Sequence, residues 1–256
     1  MKISICTTNY NCAHALSRHL ESVYRELAGM EFEYIVVDNK SKDVSLQVLQ
    51  AWAASHPNMT VLSKRCTMGE GREIAFRHST GDPIMVLDTD VVYSDALRAL
   101  AEAYFERCPE WSLQAVFCGL FPRNQWIAAG GRRSLNTNED LDMWVRLARL
   151  GTMRWYPIYT GENLKEADAW GRGDYLSARY SRGERILRLA RREWDRIKTR
   201  EIELINIQAL IAANLVDLGL GSPGPWPQGR VRTTPMQSAV QFVREFKQTL
   251  KRDRES

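Results

Sequence analysis

The sequence predicts an α/β fold in which a mostly parallel sheet is flanked by helices and followed by a helical C-terminal extension. Apolar, strand-like runs alternate with amphipathic helical patterns four times in the first 110 residues, which is typical of such a sheet. One of these runs, Ile84–Leu87, has no polar alternation and leads into Asp88 and Asp90, which indicates a buried strand with a polar carboxyl end. No G-x-G-x-x-G or G-x-x-x-x-G-K-[ST] loop occurs, which disfavours a dinucleotide fold and a P-loop NTPase.

The composition is that of a globular protein. Of the 256 residues, 44% are hydrophobic and 26% are charged. No run approaches the roughly 18 apolar residues of a transmembrane helix, and no signal-peptide pattern opens the chain, so we expect a cytoplasmic protein. The five cysteines are scattered without C-x-x-C spacing, which favours reduced, mostly buried thiols.

The expected elements follow in a simple order. Strands are expected at residues 2–6, 34–37, 61–62, 84–87, 113–120 and 153–159, with a polar loop at 7–11. Helices are expected at about 13–28, beyond Val44, beyond Gly71, from the N-cap Ser94 to before Pro109, and at 138–150. Further helices at 182–217 and 234–251 are separated by a Gly/Pro-rich linker at 219–229.

Asp88 and Asp90 form the most informative short pattern. They stand at the carboxyl end of a strand, where ligands bind in open α/β sheets. Two carboxylates at this spacing repel each other, and a hard divalent cation, Mg²⁺ or Mn²⁺, compensates them while also binding phosphate oxygens. The pair therefore predicts a metal site that holds a diphosphate, with a surface turn as the alternative.

Five stretches in register resemble the family 2 glycosyltransferases, which have the GT-A fold. The matching stretches are Ser4–Asn11, Val36–Asp43, Gly69–Arg72, Gly81–Asp90 and Asn138–Leu147, closing at Gly151. The resemblance covers roughly residues 2–160. It implies a GT-A catalytic domain at 1–160, with a nucleotide-sugar half at 1–95 and an acceptor half at 96–160, and leaves 161–256 as a mainly helical extension.

The resemblance also implies roles for residues of the nucleotide-sugar half. The carboxylate of Asp38 would accept a hydrogen bond from the nucleobase, which suits uracil or guanine. Arg72 would compensate phosphate charge. Asp88 would face the donor, and Asp88 and Asp90 would hold Mn²⁺ or Mg²⁺ as a Lewis acid for the departing diphosphate. The loop residues implied beside the nucleobase are Thr7, Asn9 and Tyr10.

For the acceptor half, the resemblance implies that Asp140 is the general base that deprotonates the acceptor hydroxyl. A base at a helix N-terminus stays ionised because the helix dipole favours its anion. Glu139 and Trp126 would lie on the acceptor side. The implied activity is an inverting, metal-assisted transfer of a sugar from a UDP- or GDP-sugar to a saccharide or lipid-linked glycan.

Simpler explanations stand beside these roles. Asp38 could cap its own turn, Arg72 could be a solvated helix residue, and the acids at 139–140 suit any helix start. Trp126 and Trp144 could be core residues. We expect Asp142 and Arg146, four residues apart on one helix, to pair.

The chain departs from the family pattern at three places. Glu73 follows the motif arginine where Asn is common, and Asn39 follows Asp38 where a second acid is common. No histidine follows His78, so Glu162, Asp168 or water would complete the metal shell.

The extension adds a basic segment. Residues 179–200 hold nine basic and three acidic residues, which is compatible with an anionic membrane surface and a lipid-linked acceptor, or with a solvated helix face. Aromatic interleaving is sparse, which disfavours nucleic acid. For the whole chain, the alternatives to a transferase are a non-catalytic nucleotide-sugar-binding protein and a sugar nucleotidyltransferase.

Overall fold

A computed structural model of the protein describes residues 1–136 and 139–164, and only the backbone at 155–158. The strands are β1 (Ile3–Asn9), β2 (Phe32–Asp38), β3 (Met59–Ser63), β4 (Ile84–Leu87), β5 (Val91–Tyr93), β6 (Ser112–Val116), β7 (Cys118–Phe121), β8 (Met153–Tyr159) and β9 (Gly161–Asn163). The helices are α1 (Ala13–Glu26), α2 (Ser45–Ser55), α3 (Met68–His78), α4 (Asp95–Arg107), α5 (Arg123–Ala128) and α6 (Glu139–Arg149). The helices and linker expected between residues 182 and 251, and the basic segment 179–200, lie outside the described residues.

Seven strands form one sheet in the order β3-β2-β1-β4-β7-β6-β8. The pairs β3–β2, β2–β1, β1–β4 and β6–β8 are parallel, whereas β7 runs antiparallel to both of its neighbours. The prediction of a mostly parallel sheet is confirmed. A second sheet consists of β5 and β9, which pair antiparallel.

Helices cover both faces of the large sheet. Alternate residues of each strand enter two separate cores, since Met85 and Leu87 belong to one and Ile84 and Val86 to the other. The first core is closed by residues of α1 and α4, and the second by residues of α3 and α6. All five cysteines are free and buried, as expected.

Several expected elements have different bounds. Strand β1 continues to Asn9 because Thr7, Thr8 and Asn9 pair in register with Val36, Val37 and Asp38, so the predicted polar loop begins later. The strand expected at 113–120 is a hairpin, β6–β7, which turns at Phe117 with φ +69°. The short strand β9 begins beyond the expected boundary at residue 160.

The N-cap predicted at Ser94 is confirmed, because its hydroxyl accepts a hydrogen bond from the Ala96 amide. The expected pair of Asp142 and Arg146 is also present, at 2.6 Å. None of the described helices combines the length and apolar composition that crossing a bilayer requires.

Candidate functional site

The carboxyl ends of β1, β2 and β4 meet at one edge of the large sheet. Asn9 and Asp38, the last residues of β1 and β2, are register partners, and Asp88 follows β4 directly. This edge is where open α/β sheets bind ligands, because the strand ends and the starts of the following helices converge there. The site can therefore be built outward from these three strand ends.

The first part of the site is a corner formed by Asn9, Asp38 and Ser41. The buried Asp38 carboxylate accepts hydrogen bonds from Asn9 Nδ2 at 2.9 Å, Ser41 Oγ at 2.5 Å and the Ser41 amide at 2.9 Å. Asp38 therefore does close its own turn, as the simpler explanation has it. Asn11 and Lys40, which lie beside this corner, have positive φ values of 49° and 52°. This conformation costs energy for residues other than glycine.

Asn9 has a fixed orientation in this corner. Because its amide nitrogen must face the Asp38 carboxylate, its Oδ1 atom is assigned to the opposite direction. Oδ1 is buried and has no hydrogen-bond partner within 1–136 and 139–164. A buried acceptor without a partner is costly, and such atoms call for an explanation.

The second part of the site is Arg72 on helix α3. The helix begins at the N-cap Thr67, whose hydroxyl accepts from the Glu70 amide at 3.1 Å. Gly69 and Gly71 allow close packing, since a Cβ atom at Gly69 would collide with the Arg133 carbonyl and one at Gly71 with the Thr8 side chain. The Gly-Glu-Gly-Arg stretch thus brings Arg72 against the strand ends.

The Arg72 guanidinium joins three carboxylates. Its Nη1 donates to Glu139 at 2.8 Å and to Asp140 at 2.7 Å, and its Nη2 donates to Asp88 at 2.9 Å. Burial disfavours its charge, but Asp140, Glu139 and Asp88 outweigh that cost and raise the pKa of Arg72. Arg72 is a buried permanent cation, and the proposal of a solvated helix residue is wrong.

Asp88 and Asp90 differ in their surroundings. The Asp88 side chain is 41% exposed, while Asp90 is buried at 3%. The Asp88 amide donates to the Tyr93 hydroxyl at 3.0 Å, and that hydroxyl donates to the Phe117 carbonyl at 2.8 Å. Tyr93 thus fixes the backbone of the acidic turn to the β6–β7 hairpin.

A second buried polar residue supports the same turn from helix α1. His19 lies within hydrogen-bond distance of the Val91 carbonyl through Nδ1, at 2.9 Å, and of the Tyr34 hydroxyl through Nε2, at 2.7 Å. Burial lowers the pKa of His19 to about 4, so the ring is neutral at pH 7. A neutral ring must donate to the carbonyl and accept from the hydroxyl, which makes His19 a brace for β5.

The donor set fits a hard divalent cation in part. Asp88 and Asp90 supply carboxylate oxygens, the ligand type that Mg²⁺ and Mn²⁺ prefer. Across residues 1–136 and 139–164, no group of three or more His, Cys, Asp or Glu side chains is close enough to hold a metal ion. Remaining ligands would have to come from water or from the phosphates of a bound donor, as Mg²⁺ sites commonly arrange.

Glu139 and Asp140 begin helix α6 with different exposure. The Glu139 side chain is 6% exposed and that of Asp140 is 35% exposed. Burial, followed by the charge of Asp140, raises the pKa of Glu139. Burial acts the same way on Asp140, but the guanidiniums of Arg72 and Arg132 outweigh it and hold the pKa of Asp140 well below its usual range.

Trp126 does not belong to the acceptor side, and this expectation needs correction. Its side chain is fully buried, stacks on Phe76 at 5.2 Å and contacts Phe121 edge-on at 5.8 Å. Its indole N–H donates to Glu73 at 3.0 Å. No face of the indole is open to a sugar, because the ring fills the core under the site.

The structure thus brings Asp88, Arg72, Glu139 and Asp140 into direct contact and holds Asn9 and Asp38 in a neighbouring corner. Thr7 lies behind them, because its buried hydroxyl donates to the Leu87 carbonyl at 2.6 Å. Tyr10 is half-buried just beyond β1.

Sequence reasoning missed Arg132, which pairs with Asp140, and Tyr93. The adjacent glycines Gly130 and Gly131, a pattern that indicates a turn, were the available sequence signal for Arg132.

Comparison with known proteins places the chain in a family. The sequence profile of glycosyl transferase family 2 matches residues 4–149, more than half of the chain. A mannosyltransferase from Pyrobaculum calidifontis, solved with GDP-Man and Mn²⁺, aligns with 96% of this chain and 69% of its own at 16% identity, with a TM-score of 0.55. TarS from S. aureus, solved with UDP-GlcNAc, aligns with 96% of this chain and 80% of its own at 15% identity, with a TM-score of 0.54. These similarities establish the GT-A fold.

Curated relatives match shorter segments. The uncharacterized glycosyltransferase YfnE of Bacillus subtilis is 31% identical over 122 residues, which is 47% of this chain and 30% of the relative. The poly(ribitol-phosphate) beta-glucosyltransferase of Bacillus spizizenii is 32% identical over 102 residues, which is 38% of this chain and 16% of the relative. The aligned part is therefore less than a third of each relative's length. The match over residues 4–149, together with the fold, shows that the chain belongs to glycosyl transferase family 2.

Proposed function

We propose that the protein is an inverting glycosyltransferase that transfers a sugar from a UDP- or GDP-sugar to a hydroxyl of a saccharide or lipid-linked glycan. The observation that carries this proposal is the Arg72 bridge. One guanidinium contacts both Asp88, which follows β4, and Asp140, the candidate base at the start of α6. A donor phosphate at Asp88 and an acceptor hydroxyl at Asp140 would therefore lie within one side chain's span, as a direct displacement requires.

The corner of Asn9 and Asp38 suits the nucleobase. Uracil and guanine both present a ring N–H, and Asn9 Oδ1 is a buried acceptor without a partner in the described part of the chain. Asp38 was expected to accept from the nucleobase itself, but its carboxylate is buried and already accepts three hydrogen bonds, so its proposed role is to hold Asn9 in place beside the base. Structures of the similar proteins contain GDP-Man, UDP and UDP-GlcNAc, which agrees with a nucleoside diphosphate sugar.

Asp88 and Asp90 are the residues that would hold Mn²⁺ or Mg²⁺. Such an ion, when bound, stabilises the negative charge that develops on a departing diphosphate. The similar mannosyltransferase contains Mn²⁺. Arg72, which donates to Asp88, is the protein's own cation at this position and would serve the same phosphate charge.

Asp140 is the candidate base because its carboxylate is partly exposed, whereas Glu139 is buried. Attack of the acceptor oxygen on the anomeric carbon would break the bond to the diphosphate, and Asp140 would take the hydroxyl proton. A single displacement of this kind inverts the anomeric centre. Paired with two arginines, Asp140 is a weak base, so one of these pairs must loosen when substrates bind.

A thermal-shift screen tests the donor site. UDP, GDP, CMP and their sugars are compared with and without Mn²⁺, because a ligand that binds only the folded state raises the melting temperature. We expect one diphosphate nucleotide to stabilise the protein in a metal-dependent manner, and the shift to be lost in Asp88→Asn. If no nucleotide stabilises the protein under either condition, the transferase proposal fails.

Replacing Asp140 by Asn separates a transferase from a nucleotide-sugar-binding protein. The amide cannot accept the proton, so turnover should fall about 10²–10⁴-fold while the nucleotide-induced thermal shift is kept. Turnover is measured as release of the nucleoside diphosphate from the sugar nucleotide that the screen identifies. An unchanged rate would remove Asp140 from the mechanism.

A lipid-linked acceptor would bring the protein to a membrane surface. The basic residues at 179–200 would supply the contact to anionic lipids. Flotation of the full-length protein with anionic and neutral vesicles tests this part of the proposal. Protein that stays at the bottom with anionic vesicles excludes it.

A further inference from the structure

Arg132 lies in the turn that precedes helix α6, and the core of the protein fixes this turn. Gly130 and Gly131 have φ values of +79° and +68°, and a Cβ atom at Gly131 would collide with the Glu73 carboxylate. The same carboxylate accepts a hydrogen bond from the Arg132 amide at 3.0 Å. The backbone at Arg132 is therefore tied to helix α3, and the family departure at Glu73 has a structural purpose.

The Arg132 guanidinium is enclosed by aromatic rings. Its side chain has no exposed surface, and its central carbon lies 5.3 Å from the centre of the Trp126 ring and 5.8 Å from that of Phe121. A buried cation is costly unless it is paired, and aromatic faces offset part of that cost.

Within the described residues, the polar contact of the Arg132 side chain is directed to Asp140. Nη1 donates to Asp140 Oδ1, while Nε and Nη2 have no hydrogen-bond partner in this part of the chain. A guanidinium with five donors is thus held against the rings and directed at one carboxylate oxygen.

Arg72 approaches the same oxygen in a different way. Asp140 Oδ1 accepts from Arg72 Nη1 as well, but Arg72 also donates to Glu139 and to Asp88. Arg72 is shared among partners on two elements, and its Asp88 contact lies where the donor phosphates are expected. Arg132 has no such second partner among residues 1–136 and 139–164.

We propose that Arg132 is the residue that positions Asp140, whereas Arg72 is a partner that Asp140 can lose when substrates bind. When Arg72 turns toward a donor phosphate, Arg132 keeps the carboxylate in place and ionised. The charged groups that face Asp140 are Arg72 from α3, Arg132 from the preceding turn and Glu139 from α6, with Asp88 beyond Arg72. The proposal rests on the proposed function only for the role of Asp140 as base.

The ionisation of Asp140 in the metal-free protein tests the pairing directly. The carboxyl carbon of Asp140, labelled with ¹³C and assigned with Asp140→Asn, is followed by NMR against pH. Loss of one neighbouring cation raises a carboxyl pKa by about 1–3 units. Arg132→Met should therefore raise the pH at the titration midpoint of the Asp140 carboxyl by that amount. Arg132→Lys, which keeps the charge, should recover most of the difference.

Arg123→Met is the matched control. Arg123 also lies over an aromatic ring, 4.8 Å from the centre of Phe76, and its side chain donates to Ser79 Oγ and to the Gly81 carbonyl, away from Asp140. Its loss should destabilise the fold without moving the midpoint of Asp140. If Arg132→Met does not fold, Arg132→Gln takes its place.

Turnover gives the second readout. In the Arg132 variants, the acidic limb of kcat should move to higher pH with the midpoint of Asp140, and KM for the sugar nucleotide should stay within about twofold. A midpoint that does not move in a folded variant overturns the proposal, whatever the activity. If the titration midpoint of Asp140 moves but the wild-type protein shows no turnover, the pairing of Arg132 with Asp140 stands and the proposed glycosyltransferase function fails. Failure of this proposal and failure of the proposed function are therefore distinguishable.

Discussion

The two ends of the same parallel strands carry two partly buried ionic clusters that differ in their hydrogen bonding. At the amino ends of β1, β2 and β4, the Glu33 carboxylate accepts hydrogen bonds from Lys2 Nζ, Ser4 Oγ and the amides of Thr80 and Gly81. We call this the rear cluster. At the carboxyl ends, the front cluster consists of Arg72, Arg132, Asp88, Glu139 and Asp140.

The clusters differ in how many of their charged groups have hydrogen-bond partners. Burial opposes the charge of Glu33, but its donors outweigh burial and lower its pKa to about 2. In the front cluster, three carboxylates face two guanidiniums, burial raises the pKa of Glu139, and the described chain leaves Arg72 Nε, Arg132 Nε and Arg132 Nη2 without a partner. Within the described residues, the rear cluster surrounds one carboxylate with donors, whereas the front cluster leaves N–H groups of both guanidiniums without an acceptor, which distinguishes it from a closed structural cluster.

The largest expected effect comes from removing the central cation of the front cluster. Arg72→Met would leave buried Glu139 without its partner, so the free energy of unfolding should fall by about 3–5 kcal/mol. Lys2→Met at the rear should cost about 1 kcal/mol or less, because Lys2 is partly exposed and Glu33 keeps its hydrogen bonds from Ser4, Thr80 and Gly81. Urea unfolding of both variants measures the difference. Equal losses would contradict the distinction between the clusters.

The rear cluster should respond to acid in a characteristic way. Because the folded-state pKa of Glu33 is about 2 and the ordinary value is 4.5, its contribution is present above about pH 4.5 and is lost as the pH falls toward 2. We expect Glu33→Gln to lower the free energy of unfolding by about 2 kcal/mol at pH 7 and by roughly half of that or less at pH 3, where the folded-state carboxylate is still mostly ionised. Chemical unfolding at both pH values measures this. A difference that is the same at pH 3 and pH 7 would show that Glu33 acts through packing instead of charge.

The sequence predicted the parts of the front cluster that depend on local features. The alternating pattern and the Asp-Thr-Asp stretch are local features, and they predicted strand β4 with Asp88 directly after it. The resemblance to a family added Asp140, which lies in contact with Arg72 although 68 residues separate them in the chain. Contacts over such a distance leave no mark in local periodicity.

The missed residues share that reason. Arg132 follows a glycine turn, and its burial depends on Trp126 and Phe121, which come together only in the folded core. Trp126 itself was expected on the acceptor side because an exposed and a buried tryptophan look alike in a sequence. The hairpin at Phe117 was missed because a bulky residue with φ +69° breaks the usual preference for glycine or asparagine.

The smallest expected effect concerns the backbone of the turn that carries Asp88. It tests whether the front cluster depends on an uncharged hydrogen-bonding group in addition to its ion pairs. Tyr93→Phe removes one buried hydroxyl that accepts from the Asp88 amide and donates to the Phe117 carbonyl. The loss should weaken metal-dependent nucleotide binding by about 0.5–1.5 kcal/mol, or a few-fold, because the turn is then less firmly placed. Tyr104→Phe is the control, since that buried tyrosine donates to the Pro109 carbonyl, away from Asp88. Both variants should lose similar stability, and thermal-shift titration with nucleotide and Mn²⁺ separates them. If both bind equally well, the Tyr93 hydroxyl does not help to position Asp88 for nucleotide binding.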